Sequence, residues 1–265
     1  MRAQIVNDVF SLAQAQQSSP LRPLELIRYL KSDFELLPWD TAINRLAFYI
    51  NMLETTEIYG DFNKYLLDLV EPVYSKITWL HNANDSWLDR QFRTKILEFA
   101  CARESSDCVQ KAKQYFLAWM ANPTVNPIPK DYRAFVYCTA IKYGSKSEWN
   151  FASNQYDAET DSNAKKEIQN SMACTREPWL INRFLNDQLN HTKVRRQDTL
   201  FGLRYASTKS LGNIMTWDFI KTNWNELYDR YGNSMTFAQL LNDLSTKFNT
   251  ENSLNEVFYF SCFKV

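Results

Sequence analysis

The sequence predicts an all-α fold of stacked helical hairpins that together form a curved α-solenoid. Three observations carry that prediction. Only 5 Gly and 8 Pro punctuate 265 residues, too few for a β-rich or loop-rich chain. Helix-forming Leu, Ala, Lys, Gln and Glu fill much of the rest, and 45% of the chain is apolar, enough to bury a sizeable core. The apolar residues recur at intervals of three and four almost throughout, which gathers them on one stripe of each helix.

The elements follow in order. Pro23 and Pro38 suit first helical turns, where a missing N–H costs no hydrogen bond. Ala42, Leu46, Ile50 and Leu53 share a face, and Gly60 stands where a left-handed C-cap would close a helix. Leu66, Val70, Val73 and Ile77 make the next stripe, and Val109, Ala112, Phe116 and Trp119 another. Pro129 opens a helix and Gly144 is placed to end one. Near the C-terminus Gly232 closes a run, Thr236 is placed to cap the next helix, and Phe237, Leu240, Leu241, Leu244 and Phe248 form its apolar face. These breaks give about a dozen helices of roughly 10–20 residues with short connections. Trp39, Trp79, Trp119, Trp149 and Trp179 recur about every thirty to forty residues, a period that stacked helix pairs produce. Glu148-Trp149-Asn150-Phe151 also echoes Thr216-Trp217-Asp218-Phe219. No break resembles an interdomain linker.

Lys plus Arg and Asp plus Glu number 30 each, so nothing builds the basic face that nucleic-acid binding requires. Lys165-Lys166 and Arg195-Arg196 read as solvated helix ends. No apolar run reaches the roughly eighteen residues that a membrane span needs. Met1 to Asp8 carry an acid and several amides where a signal peptide needs an apolar stretch, so if the protein is secreted its export signal is expected upstream of this chain.

The chain has no recognisable catalytic centre. A zinc peptidase needs neutral imidazoles and a carboxylate, usually as His-Glu-x-x-His on a helix. The 2 histidines, His81 and His191, stand far apart in polar stretches and read as loop residues. Glycine-rich phosphate loops and a Gly-x-Ser-x-Gly elbow are missing too. No metal, cofactor-binding or catalytic residue is therefore assigned. An unrelated enzyme whose site assembles only in the fold is the weakest reading.

The 5 cysteines leave two readings open. Buried free thiols are the plain one. Two disulfides are the other, and they would imply an oxidising compartment. Cys101 and Cys108 flank a turn-like break, while Cys138 and Cys174 are expected in helices on either side of Trp149. Two acceptor sequons, Asn84-Asp85-Ser86 and Asn190-His191-Thr192, fall in polar connections where glycans could sit.

Several segments carry a family resemblance in their order. Arg2-Ala3-Gln4-Ile5-Val6-Asn7-Asp8-Val9-Phe10 opens the chain, followed by Pro38-Trp39-Asp40-Thr41-Ala42 and Tyr59-Gly60-Asp61-Phe62. Val136-Tyr137-Cys138, Glu148-Trp149-Asn150-Phe151, Ala173-Cys174, Trp179-Leu180-Ile181-Asn182-Arg183-Phe184-Leu185 and Trp217-Asp218-Phe219 come later. In that order they resemble the C-terminal helical, HEAT-like domain of M1-family zinc aminopeptidases of the aminopeptidase N type. The resemblance spans residues 1–256 as one domain, with 257–265 as an atypical or truncated tail containing Cys262.

That resemblance implies the pairs Cys101–Cys108 and Cys138–Cys174 and an extracellular or cell-surface setting. It implies a parent enzyme that removes N-terminal residues from peptides, with zinc and a membrane anchor in parts upstream. The C-terminal domain would close the active-site chamber and contact the distal part of the peptide. Its partners would be the enzyme's own N-terminal catalytic domains, peptides, and a second copy in a homodimer, with no nucleic acid. Gln169 occupies a place where the family often carries Arg, and Gln169 and Arg183 are the residues expected to face the chamber. Tyr132, Tyr137, Tyr143, Trp149, Arg195 and Arg196 are weaker candidates for a peptide groove. The alternative function is a stand-alone α-solenoid scaffold that binds protein or peptide.

Overall fold

The apolar stripes fold into fifteen α-helices, joined by short turns and two 3-10 segments among the described residues. The structure, a computed structural model, describes residues 1–80 and 84–264, with side chains to residue 260. None of the described residues lies in a strand. His81 and the side chain of Cys262 lie outside the described residues.

The chain divides into two compact units. The first comprises Met1–Lys111 with Pro129–Tyr132. It contains α1 (Arg2–Gln14), α2 (Leu21–Leu26), a 3-10 segment (Ile27–Ser32), α3 (Leu36–Leu53), α4 (Tyr59–Tyr74) and α5 (Trp87–Ala102). The expected apolar faces turn inward: Ala42, Leu46, Leu66, Val70 and Val73 are all fully buried. They close the pairs α1 with α3, α3 with α5, and α4 with α5. Two indole N–H groups brought inside find partners nearby. Trp39 Nε1 donates to the Asp33 carbonyl at 2.8 Å. Tyr74 donates its hydroxyl to Asp107 at 2.6 Å and accepts from Trp79 Nε1 at 3.3 Å.

Helix α6 (Ser106–Ala121) runs across the division in the sequence. The second unit, Ala112–Ile128 with Arg133–Val265, holds α7 (Arg133–Lys142), α8 (Lys146–Ala158), α9 (Ser162–Met172) and α10 (Pro178–Leu189). It continues with α11 (Arg196–Ser207), α12 (Ser210–Thr222), α13 (Trp224–Tyr231), α14 (Met235–Ser245) and α15 (Glu251–Lys264). Helices α7 and α8 pack on α9, α10 on α11, and α11 on α12 and α14. The extensive contacts thus join helices close in the chain, the pattern of stacked hairpins. Helix α15 is continuous across residue 256. Glu256 accepts from Trp217 Nε1 and Lys221 Nζ, each at 2.9 Å. Phe260 packs edge-on against Trp224 and Trp217, with ring centroids 4.8 and 5.3 Å away.

Several expected helix ends differ from those observed. No glycine adopts a positive φ; among the described residues the left-handed ones are Gln16 at 60° and Glu104 at 72°. Gly60 is the second residue of α4, and Gly232 stays right-handed with its N–H on the Tyr228 carbonyl. Gly232 closes its helix through a backbone bond without a left-handed turn, although a Cβ there would lie 2.6 Å from the Tyr228 carbonyl oxygen. Ser234, not Thr236, caps α14, because its side chain accepts from the Thr236 N–H. Cys174 lies just beyond α9 instead of within a helix. Lys165 and Lys166 sit inside α9, with ammonium groups 4.8 and 5.1 Å from the Tyr156 and Phe201 ring centroids. Arg195 is likewise engaged, paired with Asp198 at 2.7 Å.

Candidate functional site

The two chamber candidates and the longer disulfide lie among α7 to α10. Helix α8 begins with a capping box in which Ser145 and Glu148 satisfy each other's backbone N–H groups. Burial pushes the Glu148 carboxyl up, but hydrogen bonds from Ser145 and Ser147 outweigh it and hold the pKa below the ordinary value. The box aims Trp149 inward. Its ring is fully buried, and Nε1 donates to the Met172 carbonyl at 3.1 Å, joining α8 to the end of α9. Two residues on, Cys174 is bonded to Cys138 of α7, with sulfur atoms 2.05 Å apart. In the first unit Cys101 and Cys108 join the end of α5 to the start of α6, at 2.06 Å. These are the pairs that the family resemblance implies.

Gln169 is not a surface residue. It is 2% exposed, and Nε2 donates to Gln188 Oε1 at 2.8 Å; Gln188 in turn donates to the Phe184 carbonyl. Both glutamines line a cavity of about 20 Å³, along with Ser153, Tyr156, Asp187 and Lys193. That volume accommodates about one water and no peptide. A glutamine fits here because its amide is satisfied by a second amide, a partnership that residue spacing did not reveal.

Arg183 remains on the surface. Its guanidinium carbon stands 4.8 Å from the Trp149 ring centroid, and Nη1 donates to Asn150 Oδ1 at 3.2 Å. The groove aromatics fare differently. Tyr132, Tyr137 and Trp149 are buried and pack as core. Tyr137 stacks on Trp119 at 4.8 Å, and burial pushes its hydroxyl up to about 12, although an Asn126 hydrogen bond opposes the shift. Tyr143 is half-buried under Arg176, whose guanidinium lies 4.6 Å from its ring. Both sequon asparagines are exposed, and the Asn190 Oδ1 accepts from the Thr192 N–H at 3.1 Å. His191 Nε2 faces Arg230 Nη1 at 2.6 Å, an arrangement that uses the imidazole within the protein. Among the described residues no group of three His, Cys, Asp or Glu side chains could hold a metal ion. No helix among them is long and apolar enough to cross a membrane.

The sequence model of the ERAP1-like C-terminal domain matches residues 1–261. The chain belongs to that family. Aminopeptidase N of Bos taurus is similar to it, 33% identical over 264 residues, covering 97% of this chain and 27% of the bovine protein. Aminopeptidase N of Homo sapiens is 31% identical over 266 residues, covering 98% of this chain and 27% of that protein. Glutamyl aminopeptidase of Bitis rhinoceros is 31% identical over 253 residues, covering 94% and 26% respectively. This ERAP1-like domain therefore spans about a quarter of the length of the curated relatives that it matches.

Proposed function

We propose that this chain is the non-catalytic C-terminal domain of an M1-type zinc aminopeptidase, closing the active-site chamber and contacting the distal part of the peptide. One observation carries the reading: nearly the whole chain matches aminopeptidases of which it represents about a quarter. The zinc is assigned to the part of the enzyme outside this chain, because the aminopeptidases that the chain matches extend well beyond it. Two disulfides and two exposed sequons suit an extracellular or cell-surface enzyme, anchored through an upstream segment. Arg183 is the residue best placed to meet peptide, since its guanidinium is exposed and oriented. Gln169 contributes indirectly, by joining α9 to α10.

Association is the direct test. Bovine aminopeptidase N lacking the region matched by this chain is co-secreted with the 265-residue chain carrying a tag. Stable co-purification of the two is expected. A chain that stays monomeric and never retains the catalytic part would overturn the proposal, as would zinc-dependent hydrolysis of aminoacyl substrates by the chain alone.

A further inference from the structure

We propose that the face shared by α8 and α10 binds an acidic peptide segment through Arg183 and Lys146. Trp179 and Arg183 stand four residues apart on α10, on one face. Lys146 and Asn150 have the same spacing on α8. The two helices meet in matching order: Lys146 Nζ lies 5.8 Å from the Trp179 ring centroid, while Arg183 reaches Trp149 and Asn150. The cations are thus displaced by about one helical turn, roughly 5 Å, along the pair.

Neither Arg183 nor Lys146 makes an ion pair with a described residue. Two acids on these helices, Glu148 and Asp187, are committed elsewhere. Glu148 accepts from the Ser145 N–H at 2.7 Å and from the Ser145 and Ser147 hydroxyls at 2.9 Å. Asp187 is paired with Lys193 at 3.1 Å, and Glu177 precedes α10 as an exposed cap residue.

The chemistry fits carboxylates carried on a peptide. A guanidinium held over an indole and hydrogen-bonded to Asn150 has already lost part of its freedom, so a carboxylate can engage its remaining N–H groups at reduced entropic cost. Trp179, 48% exposed, offers an apolar surface beside the charges for a neighbouring side chain. The chain is neutral overall, so this is a local feature and not a consequence of general basicity.

The test is fluorescence anisotropy of the intact, disulfide-bonded chain with a dye-labelled peptide of alternating Glu and Leu, against its Gln and Leu analogue. The acidic peptide is expected to bind and the Gln analogue to bind far more weakly. Arg183→Gln and Lys146→Gln should each weaken binding about tenfold, while Arg90→Gln, at an exposed position on α5, leaves it unchanged. Circular dichroism verifies folding, and if Arg183→Gln unfolds by uncovering Trp149, Lys146→Gln and Trp179→Ala decide the matter. Equal binding of the two peptides, variants that bind like the parent, or a short polyphosphate that competes as well as the acidic peptide would each overturn the proposal.

Discussion

The amide of Gln169 donates to Gln188 where Gly202 presents no side chain, so α9, α10 and α11 meet at one buried polar contact. A Cβ on Gly202 would lie 1.9 Å from Gln188 Oε1 and 2.7 Å from Gln169 Nε2. The glutamine pair and the glycine are therefore one packing unit.

Gly202→Ala is expected to destabilise the chain by about 1–3 kcal/mol, because the buried amides must move to admit a methyl group. Urea unfolding measures this. Gln188→Ala should relieve the clash, so the double variant is predicted to lose less than the sum of the two single changes.

The disulfides should contribute unequally. On the chain-entropy account, Cys138→Ser with Cys174→Ser costs about 4 kcal/mol, against about 2 kcal/mol for Cys101→Ser with Cys108→Ser. The sequence separations of 36 and 7 set that order. Thermal melts of both double variants decide whether the longer closure dominates.

Asp107 gives a pH signature. Lys111 first, and then the Tyr74 hydroxyl, hold its carboxyl below the usual carboxylate range. A depressed folded-state pKa contributes stability above the unfolded value and loses it as pH falls through the folded one. The difference in melting temperature between the parent and Asp107→Asn should therefore be largest near neutrality and shrink below about pH 4. A difference that grows on acidification would contradict this account.

Asn84 and Asn190 should both carry glycans when the chain is made in a secretory pathway, since both are exposed in polar connections. Digestion with an N-glycosidase is expected to lower the mass by two glycans, and Asn84→Gln and Asn190→Gln by one each. An unchanged mass would remove this support for an extracellular setting.

Much of the fold was legible because helical periodicity is repeated in every element: Leu46, Leu66 and Val70 were placed on inward faces and are fully buried. Helix ends were harder to place. Gly60, Gly144 and Gly232 are natural left-handed caps, yet the chain turns through Gln16 and Glu104 instead, where nothing local in the sequence marks a positive φ. The capping boxes at Ser86 and Ser145 did carry a readable signal, a serine followed three residues later by an acid. Gln188 and Gly202 carried none. Their importance lies in a meeting of three helices, and Gln169 looked like a surface residue until its partner was known. Trp149 and Arg183 were both noticed, but only the fold separates their roles, with the indole inside and the guanidinium covering it.

The most direct measurement replaces the region of bovine aminopeptidase N matched by this chain with residues 1–265, and compares hydrolysis of an aminoacyl anilide with that of a peptide of about ten residues. A domain that closes the chamber and meets the distal peptide predicts a secreted, zinc-dependent chimaera whose peptide kcat/KM lies within about tenfold of the parent's. It also predicts that Arg183→Gln lowers peptide hydrolysis more than anilide hydrolysis. A chimaera no better on peptides than the catalytic part alone, or one in which Arg183→Gln affects both substrates equally, would contradict the account.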